Sequence, residues 1–183
     1  MTISRNFKVS LIVAALLSFS AAQAATPTKA EYKAEKTRIS ADYKVDKSAC
    51  DTLKANAKDV CVQEAKAKES VARAELEFSY TGKPADQTKV LQAKAKSAYA
   101  VAKEKCDDQE GNAKDVCVKE AKAVETKALA DAKMGKQIVE AKKEAAEDKT
   151  DANYKVAVEK CDAMTGAAKT NCVAAAKTKF GKN

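Results

Sequence analysis

Six cysteines are the residues of this sequence with the clearest capacity for chemistry, and they occur in three pairs with the same internal spacing of eleven residues. A zinc site would need four convergent ligands, but the sequence has no histidine and no C-x-x-C pair. Redox catalysis favours closely spaced thiols of low pKa, and these cysteines are far apart along the chain. Together with the export signal described below, the even count and the repeated spacing predict three disulfides: Cys50–Cys61, Cys106–Cys117 and Cys161–Cys172.

The cysteine pairs belong to a longer internal repeat. Equivalent cysteines are 56 and then 55 residues apart, and the flanking residues recur with them. A tyrosine stands seven residues before the first cysteine of each pair, which places both on one helix face. We interpret these tyrosines as packing anchors: Tyr43, Tyr99 and Tyr154.

Each repeat reads as a helical hairpin with the two cysteines at its tip. Apolar residues recur at three- and four-residue spacing, and alanine, lysine and glutamate favour helix. We therefore expect an all-α fold of three repeated, disulfide-stapled helical hairpins, arranged as a bundle or a short solenoid. The six predicted helices cover residues 28–50, 58–80, 85–106, 113–134, 136–161 and 167–180.

Caps and breakers define the expected ends of these helices. Thr28 and Glu31 form a predicted capping box, and Asn56 with Asp59 forms a weaker version. Gly82 ahead of Pro84 predicts a helix end followed by a helix start, and we expect the segment 134–136, Met-Gly-Lys, to play the same part.

The amino terminus has the pattern of a cleavable secretory signal. Arg5 and Lys8 precede a mostly apolar run at 9–19, and small residues ending at Ala24 provide the cleavage site. Eleven residues span only about 16 Å as a helix, about half a bilayer core, so the run is too short for an anchor. We expect a signal peptide at 1–24, units at 25–82, 83–135 and 136–183, no transmembrane anchor after cleavage, and a periplasmic or secreted location.

Composition limits the possible functions. Cleavage would remove two basic residues and leave 32 Lys and Arg against 26 Asp and Glu, a net charge of about +6. Basic and acidic residues are interleaved along the chain, which argues against nucleic-acid binding. The absence of histidine, tryptophan and any nucleophile or nucleotide motif argues against an enzyme, so we expect no catalytic, cofactor-binding or metal-binding residues.

The pattern CDxxxxNAKDVCVxEAKA occurs twice, from Cys50 to Ala67 and from Cys106 to Ala123. It resembles alanine- and lysine-rich periplasmic proteins of proteobacteria that are labelled TolA-like, and the resemblance covers essentially the whole mature chain. The helices also resemble in composition the helical middle region of TolA cell-envelope proteins. The resemblance implies a location in the cell envelope and brings no catalytic residues with it.

These observations favour a non-catalytic structural or interaction protein of the cell envelope. Its expected partner is an anionic envelope polymer, to which its lysines would attach it loosely, or an envelope protein. The alternative is an envelope-stress or holdase-like periplasmic chaperone, which would expose an apolar patch.

Overall fold

The computed structural model describes residues 26–182, so the predicted signal peptide lies outside the described residues. Five α-helices are present: α1 (Lys29–Ala49), α2 (Ala55–Thr81), α3 (Pro84–Cys106), α4 (Gly111–Cys161) and α5 (Gly166–Phe180). A 3₁₀ turn at Cys50–Thr52 follows α1. Residues 26–182 contain no strand, and the protein is all-α. None of these helices combines the length and the apolar character needed to cross a membrane.

The first helix and the turn between α2 and α3 have the predicted ends. The Glu31 amide donates to the Thr28 hydroxyl at 3.3 Å, and the Thr28 amide donates to the Glu31 carboxylate at 2.7 Å, which completes the capping box. Gly82 ends α2 in the left-handed conformation with φ +62°, which only glycine adopts without strain. Pro84 then occupies the first turn of α3.

The prediction of six helices is wrong at residues 134–136. The helices expected at 113–134 and 136–161 are one 51-residue helix, α4, and Gly135 lies in its interior. A glycine alone costs a helix only about 1 kcal/mol relative to alanine, whereas proline costs about 3 kcal/mol. The α2–α3 turn contains Pro84, but the Met-Gly-Lys segment contains no proline, so helix propagates through it. The predicted boundary between 135 and 136 therefore falls inside α4.

The predicted Asn56 cap is also wrong. The helix α2 begins at Ala55 after Lys54, and no side chain caps it. The Asn56 amide instead donates to the Glu104 carbonyl of α3 at 3.0 Å. Ala55 has φ +48°, and the equivalent residue Gly111 has φ +57° at the start of α4, so a left-handed residue sets the chain direction at both places.

The helices pack in chain order. Among the described residues, α1 contacts α2, α2 contacts α3, α3 contacts α4, and α5 contacts only α4. This is an open row rather than a closed bundle, so each helix keeps a wide solvent-exposed surface. The buried apolar residues are correspondingly few and mostly small: Ile39, Cys50, Ala65, Leu76, Val90, Ala95, Cys106, Ala132, Cys161 and Ala176.

The α2–α3 turn is held by a buried carboxylate. The Asp86 carboxylate accepts a hydrogen bond from the Thr81 hydroxyl at 2.6 Å and pairs with the Lys89 ammonium at 2.8 Å. The hydrogen bond from Lys89, supplemented by that from Thr81, lowers the pKa of the Asp86 carboxyl below its ordinary value.

Replacing this carboxylate should make stability respond differently to pH. Because the folded-state pKa lies below the unfolded value of about 4, the ionised Asp86 stabilises the fold above that pH and stops doing so as the pH falls through its folded pKa. We expect Asp86→Asn to be less stable than the native protein at pH 7, and the difference to shrink below about pH 4. Urea denaturation at several pH values measures this. Asp108→Asn, at an exposed residue, is the control, and a pH-independent difference at Asp86 would contradict the assignment.

Alanine at Gly135 should stabilise the protein. A Cβ added at Gly135 meets no other atom within 4 Å, and the residue is helical. We expect Gly135→Ala to raise the free energy of unfolding by about 0.5 to 1 kcal/mol, and Gly82→Ala to lower it because of the positive φ at that residue. Denaturation of both variants under oxidising conditions is the measurement, and destabilisation by Gly135→Ala would mean that α4 bends there in solution.

Candidate functional site

The three disulfides are the pairs predicted from the sequence. Cys50–Cys61, Cys106–Cys117 and Cys161–Cys172 join Cα atoms that are 5.6, 5.7 and 5.7 Å apart. The first cysteine of each pair ends one helical segment, and the second lies in the second turn of the next helix. The first cysteines are also the most deeply buried side chains, with at most 1% of their surface exposed. No cysteine in the described residues is free, so these sulfurs hold helices together.

The turn at each bridge carries the same ion pair. The aspartate directly after the first cysteine contacts the lysine that stands three residues before the second cysteine. The Nζ–Oδ1 distance is 3.0 Å in all three: Lys58–Asp51, Lys114–Asp107 and Lys169–Asp162. These pairs are exposed and contribute at most about 1 kcal/mol each. Their value is as evidence that the three turns share one local structure.

The three predicted anchor tyrosines lie half-buried, each beside the next helix. Tyr43 lines a groove between α1 and α2. Tyr99 lines a groove between α3 and α4, where the Lys122 ammonium lies 4.8 Å from its ring centre. The Tyr154 ring on α4 lies 6.3 Å from the Phe180 ring on α5 in an edge-on arrangement. Their contribution to stability remains a prediction for mutagenesis.

One buried carboxylate accompanies Tyr99. Glu125 is only 6% exposed and accepts a hydrogen bond from the Lys122 ammonium at 2.6 Å. This hydrogen bond raises the pKa of Lys122. The carboxylate is therefore neutralised by a neighbour on its own helix. Across residues 26–182, no group of three or more carboxylates or thiols converges as a metal site would require.

Lysines on α1 form a feature that the sequence analysis missed. Five exposed lysines lie at intervals that return to nearly the same side of the helix, and we call them the α1 lysine stripe: Lys29, Lys33, Lys36, Lys44 and Lys47. At 1.5 Å per residue the stripe is about 27 Å long. None of its members belongs to an ion pair among the described residues.

The acidic residues of α1 occupy other sides of the helix. Glu35 and Asp42 pair with Arg38 on the same helix, and Asp46 pairs with Lys68 of α2 at 2.8 Å. Basic and acidic residues that are interleaved along the chain are therefore separated around the helix. The three- and four-residue spacing of the lysines was visible in the sequence, but we applied that test only to apolar residues.

A shallow apolar groove lies between α2 and α3. Its volume is about 530 Å³, and alanine and valine side chains from both helices form its floor, with Lys68 and Lys105 at its edges: Ala67, Val71, Ala98, Val101 and Ala102. Both lysines are held by carboxylates, Lys68 by Asp46 and Lys105 by Glu64 at 2.7 Å. The groove is open to solvent along its length.

Comparison with protein-family models, curated proteins and solved structures finds no match to this chain. The function must therefore be argued from the chain's own residues.

Removing the third disulfide should release α5 selectively. The helix α5 has 15 residues and contacts only α4, so the bridge to Cys161 is a large part of what holds it. We expect Cys161→Ala/Cys172→Ala to lower stability by about 3 kcal/mol, the loop-closure value for a twelve-residue loop. Amide hydrogen exchange should show loss of protection in α5 while α2 and α3 stay protected.

Cys50→Ala/Cys61→Ala is the matched control for this experiment. It removes an identical loop but should leave α5 protected, because the bridge it deletes joins the 3₁₀ turn after α1 to α2. Unchanged protection of α5 after loss of its own bridge would show that the α4–α5 contact suffices alone.

Proposed function

We propose that this protein is a non-catalytic structural or interaction protein of the cell envelope, built from three copies of a disulfide-stapled helical hairpin. Three turns with the same cysteine spacing and the same aspartate–lysine pair support the common unit. In the third unit the first helix is the second half of α4, which continues from the second unit without a turn.

The proposed location is the periplasm or the extracellular space. The signal-peptide pattern at 1–24 supports it, and so does the resemblance to TolA-like periplasmic proteins. The pairing of every described cysteine is compatible with an oxidising compartment.

The proposed activity is loose association with an anionic envelope component, and the α1 lysine stripe carries this proposal. Five ammonium groups without ion-pair partners line one side of a helix at the end of the helix row. Acidic polysaccharides, lipid headgroups and peptidoglycan share the property that the stripe would recognise, which is closely spaced negative charge on an extended surface.

The association should be weak and sensitive to salt. Exposed ion pairs contribute about 0 to 1 kcal/mol each, and the Debye length is about 8 Å at physiological ionic strength. A single lysine therefore holds nothing, and several must act together. The stripe provides that arrangement because its lysines are exposed on the same side of one rigid helix.

Neutralising the stripe should abolish the association. We expect the oxidised protein to co-sediment with peptidoglycan sacculi or with vesicles containing anionic phospholipid, and the bound fraction to fall steadily as salt rises. Lys33→Gln/Lys36→Gln/Lys44→Gln should remove most of this binding at low salt.

The control variant removes three other exposed lysines that lie apart from one another on α3 and α4, Lys103→Gln/Lys119→Gln/Lys155→Gln. It has the same net charge and should bind nearly as well as the native protein. Equal loss in both variants would show that only net charge matters, and no sedimentation of the native protein at low salt would leave the lysines a solubilising role alone.

A holdase-like chaperone is the second candidate, and the open groove between α2 and α3 favours it. Its floor of alanine and valine is an apolar surface of the kind that unfolded clients bind. Suppression of the aggregation of unfolded client proteins would support this candidate, and inertness toward several clients would leave the envelope-binding proposal.

A further inference from the structure

The contact between α2 and α3 is the starting point for an inference about α4. Two ion pairs join these antiparallel helices, Lys94–Glu75 and Lys105–Glu64, each with an N–O distance of 2.7 Å. The Asn56 amide adds a hydrogen bond to the Glu104 carbonyl. These contacts link the second helix of the first repeat to the first helix of the second repeat.

The repeat places matching groups on α4. The first half of α4 corresponds to α2 at an offset of 56 residues, and its second half corresponds to α3 at an offset of 55 residues. Applying the two offsets turns Glu75 and Lys94 into Asp131 and Lys149. It likewise turns Glu64 and Lys105 into Glu120 and Lys160, and Asn56 and Glu104 into Asn112 and Glu159. Charge sign and residue class are kept at every one of these positions.

The counterparts cannot meet within one chain. Because α4 is a continuous helix, Glu120 and Lys160 are about 60 Å apart, and Asp131 and Lys149 are about 27 Å apart. None of the four belongs to an ion pair among the described residues. Complementary charges are thus present in the register of a helix pair that a straight α4 prevents the chain from making with itself.

The same side of α4 exposes its larger apolar residues. Val116, Val124, Met134, Ile138 and Val156 are all exposed, Val124 by 67% and Val156 by 55%. They lie within about a quarter turn around the helix, because 18 residues make five full turns and 4 residues little more than one. The opposite side, with the buried Glu125 and Ala132, meets α3. Val124 and Val156 correspond to Lys68 and Val101, which line the α2–α3 groove.

We propose that two copies of this chain associate through this face of α4, with their α4 helices antiparallel and centred near Glu140. Each copy supplies to the other the helix pair that the α2–α3 turn makes internally. Both charge pairs are centred on residue 140, so a two-fold axis there forms each of them twice: Glu120 with Lys160 of the second copy, and Asp131 with Lys149 of the second copy. Val124 and Val156 of the second copy fall opposite each other in this register. The straight path through Gly135 is what makes the exchange reciprocal.

Charge reversal and its rescue test the proposed register. Sedimentation velocity of the oxidised protein over a concentration series should show a dimer. Lys149→Glu/Lys160→Glu places like charges opposite each other four times and should raise the dimer Kd by at least about tenfold. Adding Glu120→Lys/Asp131→Lys to that variant should restore the dimer. Lys143→Glu/Lys177→Glu makes the same change in net charge away from this face and should leave the Kd unchanged.

A distance measurement excludes the folded-back arrangement. Labels at residues 120 and 160 of one chain, diluted with unlabelled protein, should report a distance of about 60 Å, and labels on different chains should lie close together. Three results overturn the proposal: a monomer at all concentrations, a dimer that charge reversal leaves unaffected or that the compensating substitutions fail to restore, and a short 120–160 distance within a monomer, which would mean that α4 bends near Gly135.

Discussion

The scarcity of large apolar side chains constrains every other feature of this protein. Alanine against alanine buries little surface per contact, at roughly 25 cal/mol per Å² of apolar area. The helices are therefore formed largely by backbone propensity, and their association needs further support. The structure supplies it at three places where a disulfide joins consecutive helical segments, and there the first cysteines are the most fully buried side chains of the described residues. An open row of helices is the arrangement that this thin core permits.

The sequence predicted local structure well wherever a specific residue type determines the backbone. The Thr28–Glu31 capping box, the left-handed Gly82 and the three cysteine pairs depend on neighbours within a few residues or on a repeat that can be read directly. The error at Gly135 has the same origin. Glycine permits a turn without requiring one, and the surrounding alanine, lysine and glutamate residues favour helix strongly enough to continue through it.

The arrangement of charge was less accessible. Composition gives a net excess of lysine, and linear order shows lysine mixed with acidic residues. Only placement around the helix separates the α1 lysine stripe from Glu35 and Asp42, and only the observed partner of each helix shows which side of α4 stays uncovered. Contacts between helices that are distant in sequence, such as Asn56 with Glu104, are set by which faces meet. A single sequence without a known topology does not specify that.

The disulfide connectivity has a consequence for the order in which the molecule is assembled. First cysteine bonds to second, third to fourth and fifth to sixth, and the helices contact one another only in chain order. A chain delivered to an oxidant from its amino terminus can close each bridge before the next cysteine pair arrives. Simple oxidation in sequence reaches the native state without the reshuffling that crossed bridges demand, which otherwise takes seconds to hours. Contacts between near neighbours also allow fast formation of each segment. The protein is thus matched to a compartment that supplies an oxidant but little disulfide isomerase.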